Sequence, residues 1–496
     1  MIEGAALLAS LRREGLLVAA PPALPALRGV TTDSRSVAPG SLFVAVRGTQ
    51  ADGHRFVAEA VARGAAGLVL ERPMDADAPQ IVVYDGRRAA VALARAWYGD
   101  PAAGMTLVGI TGTNAKTTTA GLVRHLLNRD GAAGSIGTLG AFDGAGGAVP
   151  SAAGSLTTPG PVDLQATFAA LRDRGVRRVA METSSHSLDQ NRLDGLLFQA
   201  AVFTNLTRDH LDYHGTMEHY HAAKLKLLEL LGKDAVVALN ADDPAWAAIP
   251  RTAGTVRYGF GAGADVRAVD LVLGPTGSRF RLEGRYGIRD AALPMPGGFN
   301  VSNAVAAAAI ALGLGQSLAD VAEALALAPQ VPGRMERIVS EPFVVLRDYA
   351  HTPDALERAL EALRPVTAGR LIVLFGCGGD RDRGKRPQMA RIAARLADFT
   401  VVTSDNPRTE DPDAIIDEVM AGLPSTAASL RVTDRREAIA AALRAARAGD
   451  TVLLAGKGHE TYQVIGREYL PFDEAEIVRA LLVGSGQGSG GSDAVD

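Results

Sequence analysis

Short apolar segments, rich in β-branched residues and ending in glycine or charged residues, recur along the chain and constrain its fold more than any other feature. Uninterrupted runs of this length are typical of strands buried on both faces, and helical patterns follow them. This alternation predicts an α/β fold with parallel sheets, in which ligands gather at the carboxyl ends of the strands. The segments are MTLVGIT (105–111), RRVAMETSS (177–185), AVVALNADD (235–243), RLIVLFGCGG (370–379), FTVVTSDN (399–406) and TVLLAGKGHE (451–460).

The chain has 496 residues, more than the roughly 250–300 that one hydrophobic core holds, so we expect several domains. Two segments mark the predicted domain boundaries. GDPAAG (99–104) precedes a Gly-containing loop, and VPGR (331–334) separates an Ala-rich helix predicted over 303–328 from the strand FVVLRD (343–348). The predicted parts are a smaller N-terminal α/β domain (1–103), a central P-loop-type ATPase domain with a parallel-type sheet (104–332), a Rossmann-like C-terminal domain (333–482) and a disordered Gly/Ser-rich tail (483–496).

Composition excludes several classes of function. A net charge of -4 and 5% aromatic residues argue against nucleic-acid binding. The single cysteine, Cys377, excludes a disulfide framework and a zinc site built from cysteines. The longest apolar run, 304–315, is shorter than the roughly 20 residues of a membrane span, and the N-terminus lacks the pattern of a signal peptide. We therefore expect a cytoplasmic protein without membrane insertion.

The segment TGTNAKTTT (111–119) follows the first apolar run and opens a helical pattern. A strand, a Gly-containing turn and Lys-Thr at a helix start form a phosphate-binding arrangement, which predicts Lys116 on ATP phosphates and Thr117 on Mg²⁺. Ala115 stands where a glycine usually precedes the lysine, so a plain strand–helix turn with a solvated lysine is the alternative. If residue 115 is left-handed, alanine costs about 1–2 kcal/mol there. The predicted nucleotide contacts are Gly112, Thr113, Asn114, Ala115, Lys116, Thr117 and Thr118.

Metal-binding candidates follow the next strands. Glu182 follows a predicted strand that ends at Met181, and one or two carboxylates with ATP phosphates suffice for Mg²⁺. His210 and His214 have the i, i+4 spacing of a zinc helix, but Gly215 weakens a helix there and no glutamate lies between them. Lys224 alone is typical of a solvated helix face.

Over about 28–480 these motifs, in this order, resemble the Mur ligase family, whose members form amide bonds with ATP in bacterial cell-wall precursor synthesis. TTDSRSVAPGSLFVAVRGTQADGHRF (31–56) is similar to the family's uridine-nucleotide segment, including 51–54. SLTTPGP (155–161) and METSSHSLDQNR (181–192) resemble its muramyl-peptide loops. The implied substrate contacts are Ser34, His54, Thr157, Thr158, Ser184, Gln190 and Arg192.

The resemblance also implies a catalytic group. Lys224 matches a lysine that CO₂ converts to a carbamate, which binds a second Mg²⁺, and His210 supports that metal. The implied catalytic residues are Lys116, Glu182, His210 and Lys224, and the implied metal ligands are Thr117, Glu182, His210 and carbamoylated Lys224. The implied nucleotide contacts beyond the loop are Asn300 and Asn303 in GGFNVSNA (297–304), Arg334 in VPGRME and Asp348 in RDYAHTP (347–353).

Three further motifs resemble the family's acceptor site. GGDRDRGKRP (378–387) contains Arg386, SDNPRTEDP (404–412) contains the signature of the diaminopimelate-adding branch, and AGKGHETYQ (455–463) follows. An arginine can pair with the second carboxylate of diaminopimelate. L-lysine lacks this carboxylate, so it would leave the arginine charge unpaired, at a cost of about 2–5 kcal/mol. The implied contacts are Arg386, Asp405, Asn406, Pro407, Arg408, Gly456 and Glu460.

The resemblance thus implies a monomeric ligase that adds meso-diaminopimelate to the D-glutamate carboxylate of UDP-N-acetylmuramoyl-L-alanyl-D-glutamate through an acyl phosphate. The alternatives are a ligase of the same fold with L-lysine as acceptor, a folylpolyglutamate synthase, and a nucleotide-binding protein without catalysis. The segments 31–56 and 404–412 argue against the folylpolyglutamate synthase, and only Ala115 favours the last.

Overall fold

The predicted α/β alternation is confirmed in the computed structural model, which describes residues 4–48, 51–150 and 156–486. The chain divides into two units. Unit 1 comprises Met1–Arg267, Gly284–Tyr286 and Val305–Ser317, and unit 2 comprises Ala268–Glu283, Gly287–Ala304 and Leu318–Asp496. The last helix ends at Gly486, and the rest of the predicted tail lies outside the described residues.

The first sheet of unit 1 has the order β1-β5-β4-β3-β2 and is parallel except for β1. Its core packs strand residues such as Leu42 and Val69 against Leu7, Leu11 and Leu93 of the helices. The strands are β1 (Leu17–Ala19), β2 (Gly29–Thr31), β3 (Ser41–Val44), β4 (Gly67–Leu70) and β5 (Gln80–Val83), and the helices are α1 (Gly4–Arg13), α2 (Val57–Ala62) and α3 (Gly86–Tyr98).

The second sheet of unit 1 contains the parallel order β13-β12-β11-β6-β10-β7, with β8 and β9 antiparallel beyond β7. The strands are β6 (Thr106–Thr111), β7 (Ala133–Gly137), β8 (Gly140–Phe142), β9 (Ala148–Val149), β10 (Arg178–Glu182), β11 (Phe198–Phe203), β12 (Leu231–Asn240) and β13 (Thr255–Gly259). The helices are α4 (Lys116–Leu127), α5 (Pro161–Asp173), α6 (Ser185–Asp189), α7 (Leu211–His214) and α8 (Met217–Leu225).

The predicted single helix over 303–328 is wrong. The chain forms α9 (Gly298–Gly313) and α10 (Leu318–Ala326) instead. Gly315 is left-handed with φ +102°, its N–H donates to Leu312 O, and the N–H of Gln316 donates to Ala311 O. This pair of bonds is the Schellman ending, which glycine accommodates because it has no Cβ.

The main sheet of unit 2 has the order β17-β18-β22-β19-β20-β21 and is parallel except for β17. The strands of this sheet are β17 (Glu336–Val339), β18 (Val344–Asp348), β19 (Leu371–Phe375), β20 (Phe399–Val402), β21 (Ser429–Arg431) and β22 (Thr451–Ala455). Outside this sheet, unit 2 contains β14 (Val266–Leu273, whose first two residues belong to unit 1), β15 (Ser278–Gly284, whose last residue belongs to unit 1), β16 (Gly287–Leu293) and the pair β23 (Tyr462–Ile465) and β24 (Glu468–Pro471). The helices are α11 (Pro353–Leu363), α12 (Lys385–Leu396), α13 (Pro412–Met420), α14 (Arg435–Ala445) and α15 (Glu474–Gly486). None of the helices in the described ranges has the length and apolar character needed to cross a bilayer.

Candidate functional site

Four neighbouring strands of unit 1 direct their carboxyl ends toward one edge of the second sheet. In the order β11-β6-β10-β7, β11 leads into 204–210, β6 leads into 112–115, β10 ends at Glu182, and β7 leads into Thr138. Parallel neighbours end on the same side, so segments far apart in sequence meet there.

The loop after β6 is held in shape by the loop after β11. Gly112 has φ +150°, and a Cβ placed there would lie 1.8 Å from the Thr204 hydroxyl oxygen, so only glycine fits. Thr204 Oγ1 donates to Asn114 O at 2.8 Å, and the Asn114 N–H donates to Asn205 Oδ1 at 2.9 Å. The analysis of the sequence missed Thr204 and Asn205, whose only signal was their place directly after an apolar run.

Lys116 begins α4 and bends back over this loop. Its ammonium donates to Gly112 O at 3.0 Å and to Thr113 O at 2.8 Å. The Thr113 hydroxyl donates to Thr207 O at 3.1 Å and accepts from the Tyr220 hydroxyl at 3.2 Å. A backbone loop curled around a lysine at a helix N-terminus is the arrangement that binds phosphate groups.

Ala115 caps α4 in a left-handed conformation, with φ +75° and ψ −10°. The Cβ of an L-residue is crowded there, at a cost of about 1–2 kcal/mol. The loop keeps this shape because Asn205 and Thr204 bind the N–H and the carbonyl of Asn114. The strain is therefore offset by neighbouring contacts.

Ala115→Gly is expected to raise the free energy of unfolding by about 1 kcal/mol, because glycine removes the steric cost of about 1–2 kcal/mol and the greater chain entropy of the unfolded state offsets only part of this gain. ATP affinity should change by less than about tenfold, because the loop is already held in place. Urea unfolding and calorimetric titration with ATP measure the two quantities. The same exchange inside α4, Ala120→Gly, should instead destabilise the protein by about 1 kcal/mol or more. An Ala115→Gly variant no more stable than the wild type would contradict the steric argument.

Glu182 lies at the end of β10 with 2% of its surface exposed. The Thr138 N–H donates to one carboxylate oxygen at 2.8 Å, and the Thr138 hydroxyl donates to the other at 3.2 Å. A Cβ at Gly137 would approach the carboxylate to 2.2 Å, so glycine is needed beside it. Thr138, which the sequence analysis missed, thus orients the carboxylate.

Lys224 on α8 is buried, contrary to the solvated helix face that its own pattern favoured. It is 1% exposed, its amine donates to Gly112 O at 2.8 Å, and it lies 4.3 Å from the centre of the Tyr220 ring. Burial, and then the charge of Lys116, hold the pKa of Lys224 well below its usual value, while Asp209 acts in the opposite direction. The site therefore favours a neutral, nucleophilic amine.

Three histidines meet beside this lysine. The ring centre of His186 lies 4.8 Å from that of His210 and 5.4 Å from that of His214. Burial, followed by the charges of the other two histidines, lowers the pKa of His186 to about 4. His186 lies within the motif 181–192 but was not singled out there. In the described parts of the chain, no group of three or more His, Cys, Asp or Glu side chains is arranged to hold a metal ion.

A cavity of about 230 Å³ lies between Lys116, at the start of α4, and residues of the two segments that resemble the family's muramyl-peptide loops. Arg192 donates to Thr158 O at 3.1 Å and to the Gln190 side-chain oxygen at 3.0 Å, and Thr158 Oγ1 donates to Ser184 Oγ at 3.2 Å. The cavity is lined by Lys116, Leu156, Thr157, Thr158, Ser184, Ser185, His186, Arg192, His210, Tyr220 and Lys224. Cationic and hydroxyl groups predominate in this lining, which suits an anionic ligand.

Ser34 and His54, the two residues predicted to bind uridine, lie in short turns outside the strands of the first sheet and already have protein partners. The Ser34 hydroxyl donates to Glu59 at 3.0 Å. His54 is 1% exposed, lies 2.6 Å from Asp52 through Nδ1 and accepts the Glu71 N–H at 3.0 Å through Nε2. The His54 N–H and ring lower the pKa of Asp52 to about 2. Both ring nitrogens of His54 therefore bind neighbouring residues and stabilise the conformation of its own loop.

The carboxyl ends of β18, β22, β19 and β20 form a second polar edge, in unit 2. Asp348 ends β18 and accepts the Met335 N–H at 2.7 Å, while Arg334 lies 4.9 Å from the centre of the Tyr349 ring. Burial raises the pKa of Asp348, and Arg334 opposes this shift. Also in unit 2, the buried Asn300 donates to Pro296 O at 2.8 Å, and Asn303 donates to Asn300 at 3.4 Å.

Arg386, predicted to bind the acceptor, is fully buried and already paired. It donates to Glu410 at 2.8 and 3.0 Å and to Glu418 at 2.9 Å. The hydrogen bond from Arg386, and then the Asp380 N–H, lower the pKa of Glu410 to about 2. Arg381 in the same motif is exposed, and its guanidinium donates to Asp380 O at 3.1 Å.

The backbone of Arg408 has a left-handed conformation, with φ +51°. Its N–H donates to Val464 O at 3.1 Å, its carbonyl accepts the Gly466 N–H at 2.7 Å, and its guanidinium donates to Gly379 O at 2.8 Å. The β23–β24 hairpin thus holds the backbone of Arg408 from both sides. Asp405, Asn406 and Glu460 form a hydrogen-bonded group around the buried Lys457, which the sequence analysis missed.

Three family models match the chain. They are the Mur ligase family, catalytic domain (26–100), the Mur ligase middle domain (110–311) and the Mur ligase, glutamate ligase domain (333–458). A relative from Gloeobacter violaceus named UDP-N-acetylmuramoyl-L-alanyl-D-glutamate–2,6-diaminopimelate ligase is 45% identical over 463 residues, which cover 92% of this chain and 94% of the relative.

Solved structures agree with the sequence comparisons. A structure named UDP-N-acetylmuramoyl-L-alanyl-D-glutamate–2,6-diaminopimelate ligase is 34% identical and matches with a TM-score of 0.66 over 93% of this chain and 95% of that one. A MurF ligase from Thermotoga maritima in complex with ADP matches at 20% identity with a TM-score of 0.63, over 92% of this chain and 96% of that one. This second likeness bears on the fold alone.

Proposed function

Since the chain belongs to the Mur ligase family, we propose that it is the ATP-dependent ligase that adds meso-diaminopimelate to UDP-N-acetylmuramoyl-L-alanyl-D-glutamate in peptidoglycan precursor synthesis. The observation that carries this proposal is the 45% identity, over 92% of the chain, to a relative named for that reaction. The residues 405–408 support the choice of acceptor, because Arg408 presents a guanidinium that suits a second carboxylate.

ATP phosphates bind at the loop 112–118, where Lys116 and the N-terminus of α4 neutralise their charge. The donor set fits Mg²⁺, a hard cation that takes few protein oxygens and keeps phosphate and water ligands. Thr117, Glu182, His210 and carbamoylated Lys224 are the residues that would hold the metal. The metal would supply charge neutralisation at the transferring phosphate. Asn300, Asn303, Arg334 and Asp348 serve the rest of the nucleotide.

The reaction has two steps. The D-glutamate side-chain carboxylate attacks the γ-phosphorus of ATP, so an acyl phosphate forms and ADP leaves. The neutral amine of diaminopimelate then attacks the acyl carbon, and the tetrahedral intermediate expels phosphate while the nitrogen loses its proton. The protein contributes positioning and electrostatic stabilisation, and no side chain acts as a nucleophile.

Reaction with CO₂ would give Lys224 the oxygen atoms with which it could help to hold the metal. The neutral amine attacks the carbon of CO₂, giving a carbamate and releasing one proton. The lowered pKa of Lys224 favours this reaction, because only the unprotonated amine is nucleophilic. Its burial protects the product from water.

The acceptor binds at the carboxyl edge of the unit 2 sheet. Arg408 pairs with the far carboxylate of diaminopimelate, and Glu460 receives the adjacent ammonium. Arg381 is better placed than Arg386 to bind a carboxylate, because the guanidinium of Arg386 already donates to Glu410 and Glu418. The three segments 1–103, 104–332 and 333–482 would then bind the sugar nucleotide, ATP and the amino acid respectively, a division that parallels the three family models.

Phosphate release from ATP tests the function. The purified protein should release phosphate only when the UDP-dipeptide and meso-diaminopimelate are both present, and omission of either should lower the rate by at least about a hundredfold. L-lysine should be a poorer acceptor by roughly thirtyfold or more in kcat/KM, because it leaves Arg408 without its carboxylate. Turnover with L-lysine equal to that with diaminopimelate would overturn the assignment of the acceptor.

A further inference from the structure

A buried lysine underlies the acceptor edge of unit 2. Lys457 follows β22, its side chain is 0% exposed, and its ammonium lies among three side chains of the proposed acceptor site. The distances are 3.3 Å to Asp405 Oδ1, 3.0 Å to Asn406 Oδ1 and 3.4 Å to Glu460 Oε2. An ammonium has three donors and no acceptor, and here each donor has one partner.

Lys457 sets the orientation of the Asn406 amide. Its donors require the amide oxygen to face them, and the same oxygen accepts the Val464 N–H at 2.9 Å. The amide nitrogen must then turn toward Glu460, to which it donates at 2.9 Å. Without the ammonium, one of the three hydrogen bonds that set the orientation of the Asn406 amide is lost.

Lys457 also orients Glu460. Oxygen Oε2 receives both Lys457 and Asn406, whereas Oε1 has no hydrogen-bond partner among the described residues, and the side chain is 17% exposed. One carboxylate oxygen is thus fixed and the other is left for a ligand. Two carboxylates and one ammonium leave the group with one net negative charge, which suits one incoming ammonium.

The other buried cation in this region has a different kind of contact. Arg435 is fully buried, pairs with Glu474 at 2.8 Å and donates to the carbonyls of Ser404 and Ala455. It binds backbone and holds the two loops together. Lys457 alone of these two cations binds the side chains of the recognition motif.

From this geometry, and resting on the proposed function, we infer that Lys457 is a positioning residue for the acceptor amino acid. It holds Asn406 and Glu460 in the arrangement that leaves one oxygen of Glu460 to receive the far ammonium of diaminopimelate, without touching the reacting atoms. It therefore governs the KM of the acceptor and leaves the nucleotide site unchanged.

Lys457→Met keeps the length of the side chain and removes the charge. The KM for diaminopimelate should rise by at least about thirtyfold, since one partner is removed from a buried, hydrogen-bonded charge group. The KM for ATP should change by less than about twofold, because no nucleotide residue touches Lys457. If this variant does not fold, Lys457→Gln, which retains a donor for Asn406, should still raise the acceptor KM by at least about fivefold.

Asp450→Asn is the matched control. Asp450 is 4% exposed, binds Arg370 and Arg447, and precedes β22 at the opposite end of the same strand. It should lower the melting temperature as Lys457→Met does, but leave the acceptor KM within about threefold of the wild type. An acceptor KM that is unchanged in both Lys457 variants, or that rises together with the KM for ATP, would overturn the inference. Wild-type protein that cannot use diaminopimelate at all would overturn the proposed function, and the inference with it.

Discussion

Lys224→Met is expected to lower kcat by about a thousandfold or more while the protein stays folded. The proposal gives Lys224 the role of a metal-binding carbamate, and removal of one group that stabilises the transition state commonly costs 10²–10³ in kcat, to which loss of the metal adds. Stability should hold, because methionine fills a similar volume and avoids burying an amine whose pKa is already held low. Kinetics with all three substrates and thermal unfolding measure both effects.

The dependence on CO₂ separates the carbamate from a plain lysine. The neutral fraction of Lys224 increases with pH, so in buffer depleted of bicarbonate the wild type should lose activity most at low pH. Added bicarbonate should restore it, and Lys224→Met should not respond. Lys233→Met, at an exposed lysine on β12, should keep the activity of the wild type within about twofold. A Lys224→Met variant with more than a tenth of wild-type kcat would exclude the carbamate role.

Arg408→Met is expected to raise the KM for diaminopimelate by about a hundredfold and to leave the KM for ATP nearly unchanged. A charge-assisted pair between a guanidinium and a carboxylate is replaced by an unpaired carboxylate, at a cost of about 2–5 kcal/mol. L-lysine has no such carboxylate, so its kcat/KM should change little and the preference between the two amino acids should largely disappear. Initial rates with each amino acid provide the measurement.

Arg431→Met is the control for Arg408→Met. Arg431 is part-exposed and pairs with Asp413 and Asp417 at the surface, where such pairs contribute little to stability. Its acceptor KM should match that of the wild type. If Arg408→Met kept its preference for diaminopimelate, another group would carry the recognition, and Arg381 is the first to test because it is exposed in the neighbouring loop.

The positions of the buried strands were predictable because they are a local property of the chain. The run 105–111 became Thr106–Thr111, and 370–379 contains Leu371–Phe375. The helical pattern predicted after 111–119 is likewise confirmed as α4, which buries Leu122, Val123, Leu126 and Leu127. The prediction of one helix over 303–328 failed because Gly315, with φ +102°, ends the first helix.

The motifs could be located from the sequence, but the state of their side chains could not. Arg386 and Arg381 lie in one motif, yet only the fold shows that the first is enclosed by Glu410 and Glu418 and the second is exposed. Lys224 has the pattern of a surface residue and is buried under the loop after β6. Burial depends on which elements pack against a residue, and the residues next to it in the sequence do not determine that packing.

By itself, the sequence determined the alternation of strands and helices, the family and the reaction, because each depends on residues that are close together in the chain. The tertiary structure alone decided which polar groups act together. The strand order β11-β6-β10-β7 brings Asn205 to the loop at 112–115 and Thr138 to Glu182, and the β23–β24 hairpin grips Arg408. Strands far apart in sequence become neighbours only when the sheet forms, so hydrogen bonds between their ends have no local signal.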